Sequence, residues 1–449
     1  MIGSWVRREG FWLLDALRGG TIRQHLQDIQ HKMKFGNSGE GQQEPSVQQE
    51  LSVQEELETE LTQLLSHAKN TTPFYRELAD FPVVTKADFK EHYIAFQSDL
   101  FLNKPLHHMS TSGSTGTPFT ANQDMNKRKR VLAEIIYFNE LGGHKLGDRL
   151  LYLRVWNEKY QKSKVDLFKE NLIAVDISRL EEETMSLIVK TLKQDNKIVS
   201  ILGYGVTYKT LAKYLVAQGA QPSDFNLKAL FNSSELLDNR SKQLLSETLG
   251  CKVYDRYSNM ENGILAQTGH NSDEFLVNTA GYYLELLDLE EDKPAARGEV
   301  GRIVITDLYN YAMPMIRYDT GDMAVKLEEG TGAQSRFKSL QGRRTELLYN
   351  TEGKLLTPAT MDFCIWKFVK IKQFQLIQEG AFDYRVKVNG SEKAYPAASI
   401  LAEFKKFLGS DANIALEFVD EIPVTASGKF KGTISHYIYD ERNYSKQDV

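Results

Sequence analysis

Apolar residues recur at helical intervals through the first 35 positions. Trp5, Phe11, Leu14 and Leu17 predict one helical face, and Ile22, Leu26 and Ile29 a second. From Gly36 the chain turns polar, with no aromatic after Phe35, and 36–55 reads as a loop. A helix then runs through Leu57, Leu61, Leu64 and Leu65, until Pro73 and Pro82 break the pattern.

Between about 146 and 310 strand-like runs alternate with helical ones. RLLYLRV, LIAVDI, KIVSILGYG, LKALFNS and CKVYDRYS are the apolar runs. LEEETMSLIVKTLKQD, YKTLAKYLVAQGA and ELLDNRSKQLLSETLG between them have helical period. This order predicts an α/β layered fold with several buried strands. YYLELLDLE and GEVGRIVITDL read as paired strands about a glycine-containing turn. After Gly342-Arg343-Arg344 come the short strands FQLIQ, DYRVKVN and ALEFVD, with AASILAEFKKFLG helical between the last two. The pattern predicts a large N-terminal α/β domain over 1–343 and a small C-terminal α+β domain over 344–449.

Composition narrows the class. With 41% hydrophobic and 26% charged residues the chain is ordinary globular material, and its 449 residues are too many for one comfortable domain. The net charge of −5 argues against a general attraction to nucleic acid or anionic lipid. No run approaches the roughly 18 apolar residues of a membrane span, and the start lacks a signal peptide's uninterrupted apolar stretch. The KRKR run, Lys127 to Arg130, reads as a solvated helix face. Cys251 and Cys364, far apart, read as small buried hydrophobes in a reducing cytoplasm. Nine histidines are scattered without zinc spacing, and the adjacent His107 and His108 read as packed, neutral side chains.

The densest chemical signal lies between Ser110 and Pro118: Thr111, Ser112, Gly113, Ser114, Thr115, Gly116 and Thr117. Glycines let backbone N–H groups turn toward phosphate oxygens, and hydroxyls add donors. No lysine follows Gly116, so this is not a Walker loop. On composition alone an anion cradle and a plain surface loop stay equally open. By the same measure Tyr257 is a core aromatic, Asp322 a turn cap, and Arg343, Arg344 and Lys429 solvated charges.

STSGSTGTP resembles the phosphate-binding signature of the adenylate-forming enzymes. The likeness is strongest to the phenylacetate–CoA ligase branch and the capsular polysaccharide biosynthesis proteins related to it. Those proteins often lack the lysine that follows the proline in other acyl-CoA synthetases, and here Phe119 stands there. Asn70 to Tyr75 is similar to that branch's entry segment. Tyr254 to Glu261 resembles its aromatic-to-glutamate motif, which implies that Tyr257 stacks on adenine and Glu261 holds Mg²⁺. Ser258 replaces the usual glycine of that motif, and Met260 replaces a hydroxyl residue. The preceding adenine and ribose loop corresponds to Ser233, Ser234 and Glu235, also without its habitual glycine. Ile316 to Asp322 resembles a motif whose aspartate, here Asp322, accepts from ribose hydroxyls. Gly342 to Glu346 resembles the next, which implies a ribose or phosphate contact for Arg343 and a hinge over Arg344 to Glu346. Pro423 to Lys431 resembles the closing motif, whose catalytic lysine would be Lys429.

The resemblance implies an adenylate-forming fold and ATP-dependent activation of a small carboxylic acid as acyl-AMP. Transfer to coenzyme A follows, with the small domain rotating between the two half-reactions. Two alternatives stay open: direct transfer to an amine or hydroxyl on a sugar or small metabolite, and a catalytically weak nucleotide-binding scaffold. Phe138, Trp156, Tyr204 and Tyr208 are candidate linings of the acid pocket. The N-terminal 55 residues are open to several roles, a homodimer contact among them.

Overall fold

Gly19 and Gly20, at φ of 97° and 67°, split the N-terminal helical pattern into α1 (Ser4–Leu17) and α2 (Thr21–Lys34). The computed structural model describes residues 3–34, 47–110, 119–156, 161–327, 336–357, 368, 371, 373–393, 395–423, 431–437, 439 and 443. Asp15, buried at the break, accepts hydrogen bonds from the backbone N–H groups of Ile22 and Arg23, two donors left open at the start of α2. Leu26 and Ile29 turn inward as their spacing predicts. The face predicted for α1 does not: Trp5, Leu14 and Leu17 are exposed, and α1 meets the core through Phe11 and Trp12.

Helix α3 (Val47–Thr71) starts inside the stretch predicted as loop. Its Glu, Gln and Leu residues are good helix formers, and that propensity outweighs the polar composition. Pro73 opens α4 (Pro73–Arg76), where its missing N–H costs nothing. Thr85 and Asp88 cap α5 (Lys86–Glu91) reciprocally. β1 (His107–Ser110) and β2 (Thr120–Gln123) pair antiparallel on either side of 111–118, which lies outside the described residues.

Helix α6 (Met125–Leu141) carries the KRKR run, and the solvated face predicted for it is wrong. Lys127 and Arg130 are fully buried. Lys127 Nζ lies 2.8 Å from Asp307 Oδ2 and donates to the Tyr282 hydroxyl at 2.9 Å. Arg130 pairs with Asp28 and stacks 4.0 Å from the Tyr309 ring centroid. Every third or fourth residue of α6 faces inward, and buried carboxylates accept the cations that fall there.

The five predicted strands are joined by three that the pattern did not predict, Gly263–Thr268, Phe275–Val277 and Arg336–Phe337, in one eight-stranded sheet. Its strands are β3 (Arg149–Arg154), β4 (Leu172–Asp176), β5 (Ile198–Tyr204), β6 (Ala229–Ser233), β7 (Lys252–Asn259), β8 (Gly263–Thr268), β9 (Phe275–Val277) and β13 (Arg336–Phe337). The order is β13-β9-β8-β7-β6-β5-β3-β4, parallel from β4 to β7 and antiparallel beyond. Helices α7 (Lys164–Glu170), α8 (Glu182–Gln194), α9 (Gly205–Ala217) and α10 (Asn239–Leu249) alternate with the parallel strands. Leu151, Ile201, Leu211, Leu245 and Cys251 share the core between them. Burial pushes the Cys251 thiol up to about 12. β10 (Tyr282–Leu287) and β11 (Val300–Asp307) pair antiparallel as read, and β12 (Tyr318–Val325) follows in their sheet.

The chain divides into two compact units: residues 1–320 with 324–339, and residues 321–323 with 340–449. The second unit contains β14 (Ser339–Arg343) from Leu340 onward, and a small hairpin of β15 (Leu348–Tyr349) and β16 (Leu355–Leu356). Its own sheet runs β19 (Asn413–Val419), β18 (Asp383–Asn389), β17 (Gln373–Gln378), β20 (Thr433–Ser435). Ile400 and Phe404 of α11 (Ala397–Leu408) pack with Leu376 and Val386 in a separate core. No helix among the described residues is long and apolar enough to cross a membrane.

Candidate active site

The parallel strands β5, β6 and β7 end at one edge, with Tyr204 opposite Ser233 and Ser233 opposite Arg256. Ligands of open α/β sheets bind outside such carboxyl ends. Ser234, just past β6, has φ of 73°, the left-handed conformation that glycine adopts freely. The serine therefore holds a backbone conformation that a glycine would adopt at no steric cost. Glu235 fastens the loop, accepting from the Val206 backbone N–H at 2.8 Å at the start of α9. Asn232 donates to the Glu235 carbonyl at 3.0 Å, and the Ser233 and Ser258 hydroxyl oxygens lie 3.4 Å apart.

Strand β7 delivers the next two residues. The Tyr257 hydroxyl donates to Thr320 Oγ1 at 3.0 Å, and the ring meets Phe337 edge-on at 6.4 Å. Glu261, in the turn after β7, is 3% exposed. Its Oε1 accepts from the Tyr318 hydroxyl at 2.9 Å and lies 3.1 Å from Lys86 Nζ. Its backbone carbonyl accepts from Gln123 Nε2 at 2.9 Å, which ties the turn to β2. Met260 beside it is exposed, and the buried side-chain amide nitrogen of Asn259 has no hydrogen-bond partner.

No group of three or more His, Cys, Asp or Glu side chains converges as a metal cluster among the described residues. One buried carboxylate still fits magnesium, which is commonly held by one or two carboxylates and the phosphates of its substrate.

In the second unit Asp322 and Arg343 approach to 3.5 Å. Glu346 lies in a 3₁₀ turn, Arg344–Glu346, and its backbone carbonyl accepts from Thr433 Oγ1 at 3.1 Å. Burial pushes the Glu346 carboxyl above the usual range, against the pull of Arg343. Lys429 and the loop Thr111 to Thr117 lie outside the described residues.

Two candidate pocket residues are core. Phe138 and Tyr208 are fully buried, and the Tyr208 hydroxyl donates to the backbone carbonyls of Ile201 and Phe231. Tyr204 is buried too, while Trp156 is half-buried and donates its indole N–H to the Val175 carbonyl. The histidines are not packed as read: His108 is exposed and pairs with the Asn122 side chain at 2.7 Å, while His107 is half-buried, and that burial, aided by nearby Arg128, lowers its pKa. The approach of Lys86 to Glu261 was not read from the sequence, where Thr85 to Asp88 signal only a helix start.

Residues 348–436 match the CapK C-terminal domain family. Over 373 residues the chain is 23% identical to protein CapK of Staphylococcus aureus, covering 79% of each. It is also 23% identical over 347 residues to phenylacetate–coenzyme A ligase of Pseudomonas putida, covering 70% of this chain and 75% of that one. A crystal structure of 2-hydroxyisobutyryl-CoA ligase with an acyl-AMP superposes with a TM-score of 0.66 at 18% identity, over 88% of this chain and 91% of that one. The resemblance read from the motifs holds, and the fold is that of the adenylate-forming ligases.

Proposed function

We propose that this relative of CapK and the phenylacetate–CoA ligases is an AMP-forming ligase. It joins a small carboxylic acid to ATP and passes the acyl group on, first of all to coenzyme A. Glu261 carries the reading. It is a buried carboxylate at the carboxyl edge of a parallel sheet, oriented by Tyr318 and paired with a lysine.

A carboxylate is a poor electrophile, because both oxygens share the charge. Its oxygen attacks the α-phosphorus of ATP, the bond to the bridging oxygen breaks, and pyrophosphate leaves. The acceptor thiol then attacks the acyl carbon and AMP departs. Glu261 and the phosphate oxygens would hold Mg²⁺, which supplies charge neutralisation. Thr111 to Thr117 offer donors to the phosphates, and Tyr257, Ser234 and Glu235 face the adenine side. Asp322 accepts from the ribose hydroxyls and Arg343 contacts ribose or phosphate. Arg344 to Glu346 form the hinge, and Lys429 neutralises the charge that develops during adenylation. Such chemistry belongs in the cytoplasm, where ATP and coenzyme A are found.

A second acceptor class, an amine or hydroxyl on a sugar or small metabolite, is the alternative that the same first step would serve. Incubation with Mg-ATP and mixed carboxylic acids, with mass detection of acyl-AMP, tests the first step. Coenzyme A and candidate amines, supplied separately, then select the acceptor. An ATP-binding protein that forms no acyl-AMP and no acid-dependent pyrophosphate would instead be a scaffold. Lys429→Ala is predicted to depress carboxylate-dependent pyrophosphate exchange about 100-fold, the scale of one lost transition-state donor. Transfer from preformed acyl-AMP should fall far less, and equal losses in both assays would remove Lys429 from adenylation.

A further inference from the structure

Helix α1 is docked on one side and apolar on the other. Its inner side is fixed, because Phe11 and Trp12 pack on the core and Asp15 holds the start of α2. The helix also passes so close to Gly147 that a Cβ there would meet the Ser4 carbonyl oxygen. On the outer side Val6, Leu13 and Leu17 recur at intervals of seven and four, with Gly10 between them and Leu14 beside them. Val6, Leu13, Leu14 and Leu17 are from 50% to 76% exposed, and Trp5, at the rim of the row, is 64% exposed. The row continues onto α7. Arg7 donates to the Phe168 carbonyl and stacks 4.4 Å from the centroid of the Phe168 ring, which sets the two helices side by side. Val165 and Phe168 of α7 are also exposed.

Single exposed leucines are ordinary, but a row of them on one rigid helix marks a contact surface. The charge around the row selects the partner. The chain as a whole carries −5, yet residues 1–34 hold six Lys and Arg against three Asp and Glu. Asp15 is buried, and Asp28 pairs with Lys32 and Arg130. Glu9, beside Arg8 at 3.3 Å, is then the one acid facing outward on α1, among Arg7, Arg8, Arg18 and Arg23. Lys164 and Lys169 continue the cations along α7, where Glu170 pairs with Lys162 and Asp166 with the capping Ser163.

We propose that α1, with α7 at its side, seats the protein on the surface of an anionic bilayer. The apolar row enters the headgroup region, and the arginines around it meet lipid phosphates. Aliphatic side chains along one face, tryptophan at the edge and arginine at the rim are the pattern of a helix that lies in the membrane plane. Because α1 is already folded and docked, binding needs no further ordering of the chain. A second copy of the protein fits this face worse, since pairing two of them brings rims of the same sign together. The seat is independent of the acid-activating chemistry and stands whether or not the protein is a ligase.

The test sediments the full-length protein with vesicles of phosphatidylcholine alone and with vesicles of equal parts phosphatidylcholine and phosphatidylglycerol, at low and at high salt. Binding is expected to the anionic vesicles, severalfold weaker at high salt, and little to the neutral ones. Leu13→Ser combined with Leu17→Ser should weaken it about tenfold or more, and Arg18→Glu combined with Lys164→Glu severalfold. Thermal unfolding of both variants should match the natural protein, since all four side chains are exposed. Should the leucine pair unfold the protein, the charge pair decides alone. No binding to the anionic vesicles, or binding that neither pair of substitutions weakens, overturns the proposal. Equal, salt-insensitive binding to both kinds of vesicle takes the arginines out of it and overturns it as well. A dimer in sedimentation equilibrium that the leucine pair dissolves, with no vesicle binding by the natural protein, gives the face to a second copy instead.

Discussion

Glu134 is a single carboxyl with a measurable signature. It is fully buried on α6, and burial pushes it up to about 7 against the pull of Lys127 and Arg130. The folded protein thus holds this proton more tightly than the unfolded chain does. The stabilising contribution is complete below about pH 4.5 and is lost as pH rises through about 7. Glu134→Gln, which mimics the protonated form, should be flatter in denaturant stability between about pH 5.5 and 8 than the natural protein. A parallel decline in both proteins would show that another group carries the dependence. At Ser234 the left-handed backbone makes the opposite kind of prediction. Ser234→Gly should leave stability unchanged or raise it by up to about 1 kcal/mol, whereas Ser234→Val should lower it by about 1–3 kcal/mol. Chemical denaturation of the two variants decides it. That a serine holds this turn was not legible, because nothing local distinguishes a positive φ at Ser234 from an ordinary loop.

Among the elements, α6 shows where reading by period stops. The helix is predictable from its spacing, but the burial of its charges is not, since Asp307 lies 180 residues further on. The same limit explains α1, whose apolar spacing describes a helix correctly while its neighbours decide that Trp5 and Leu17 stay in solvent. The strands of the parallel sheet were legible, since continuous apolar runs leave little choice of state, and so were three of the helices between them; α7, in the polar stretch after RLLYLRV, was not. Lys127→Met should cost about 3–5 kcal/mol, because it leaves Asp307 buried without its cation. Adding Asp307→Asn should recover part of that loss in a double-mutant cycle, and strict additivity of the two losses would mean that the pair is uncoupled.

On the scale of the whole molecule, two compact units, each with hydrophobic core of its own, predict two unfolding transitions by calorimetry. Leu376→Ala, in the C-terminal core, should lower only one of them, at a cost of about 2–5 kcal/mol. A single transition displaced as a whole would mean that the units unfold together. The site divides in a similar way between what the chain discloses and what it does not. Tyr257, Glu261 and Asp322 stand in motifs, and their resemblance pointed to them. The approach of Lys86 to Glu261 is disclosed only by the fold.

Cys251 offers an internal clock. A thiol packed among leucines with its acidity suppressed is inert to alkylating reagents while the sheet is closed. With Cys364 replaced by serine, the rate of Cys251 alkylation becomes a direct count of how often the core around the parallel sheet breathes open. A nucleotide that tightens this core would slow that clock, without any need to know which acid the protein accepts.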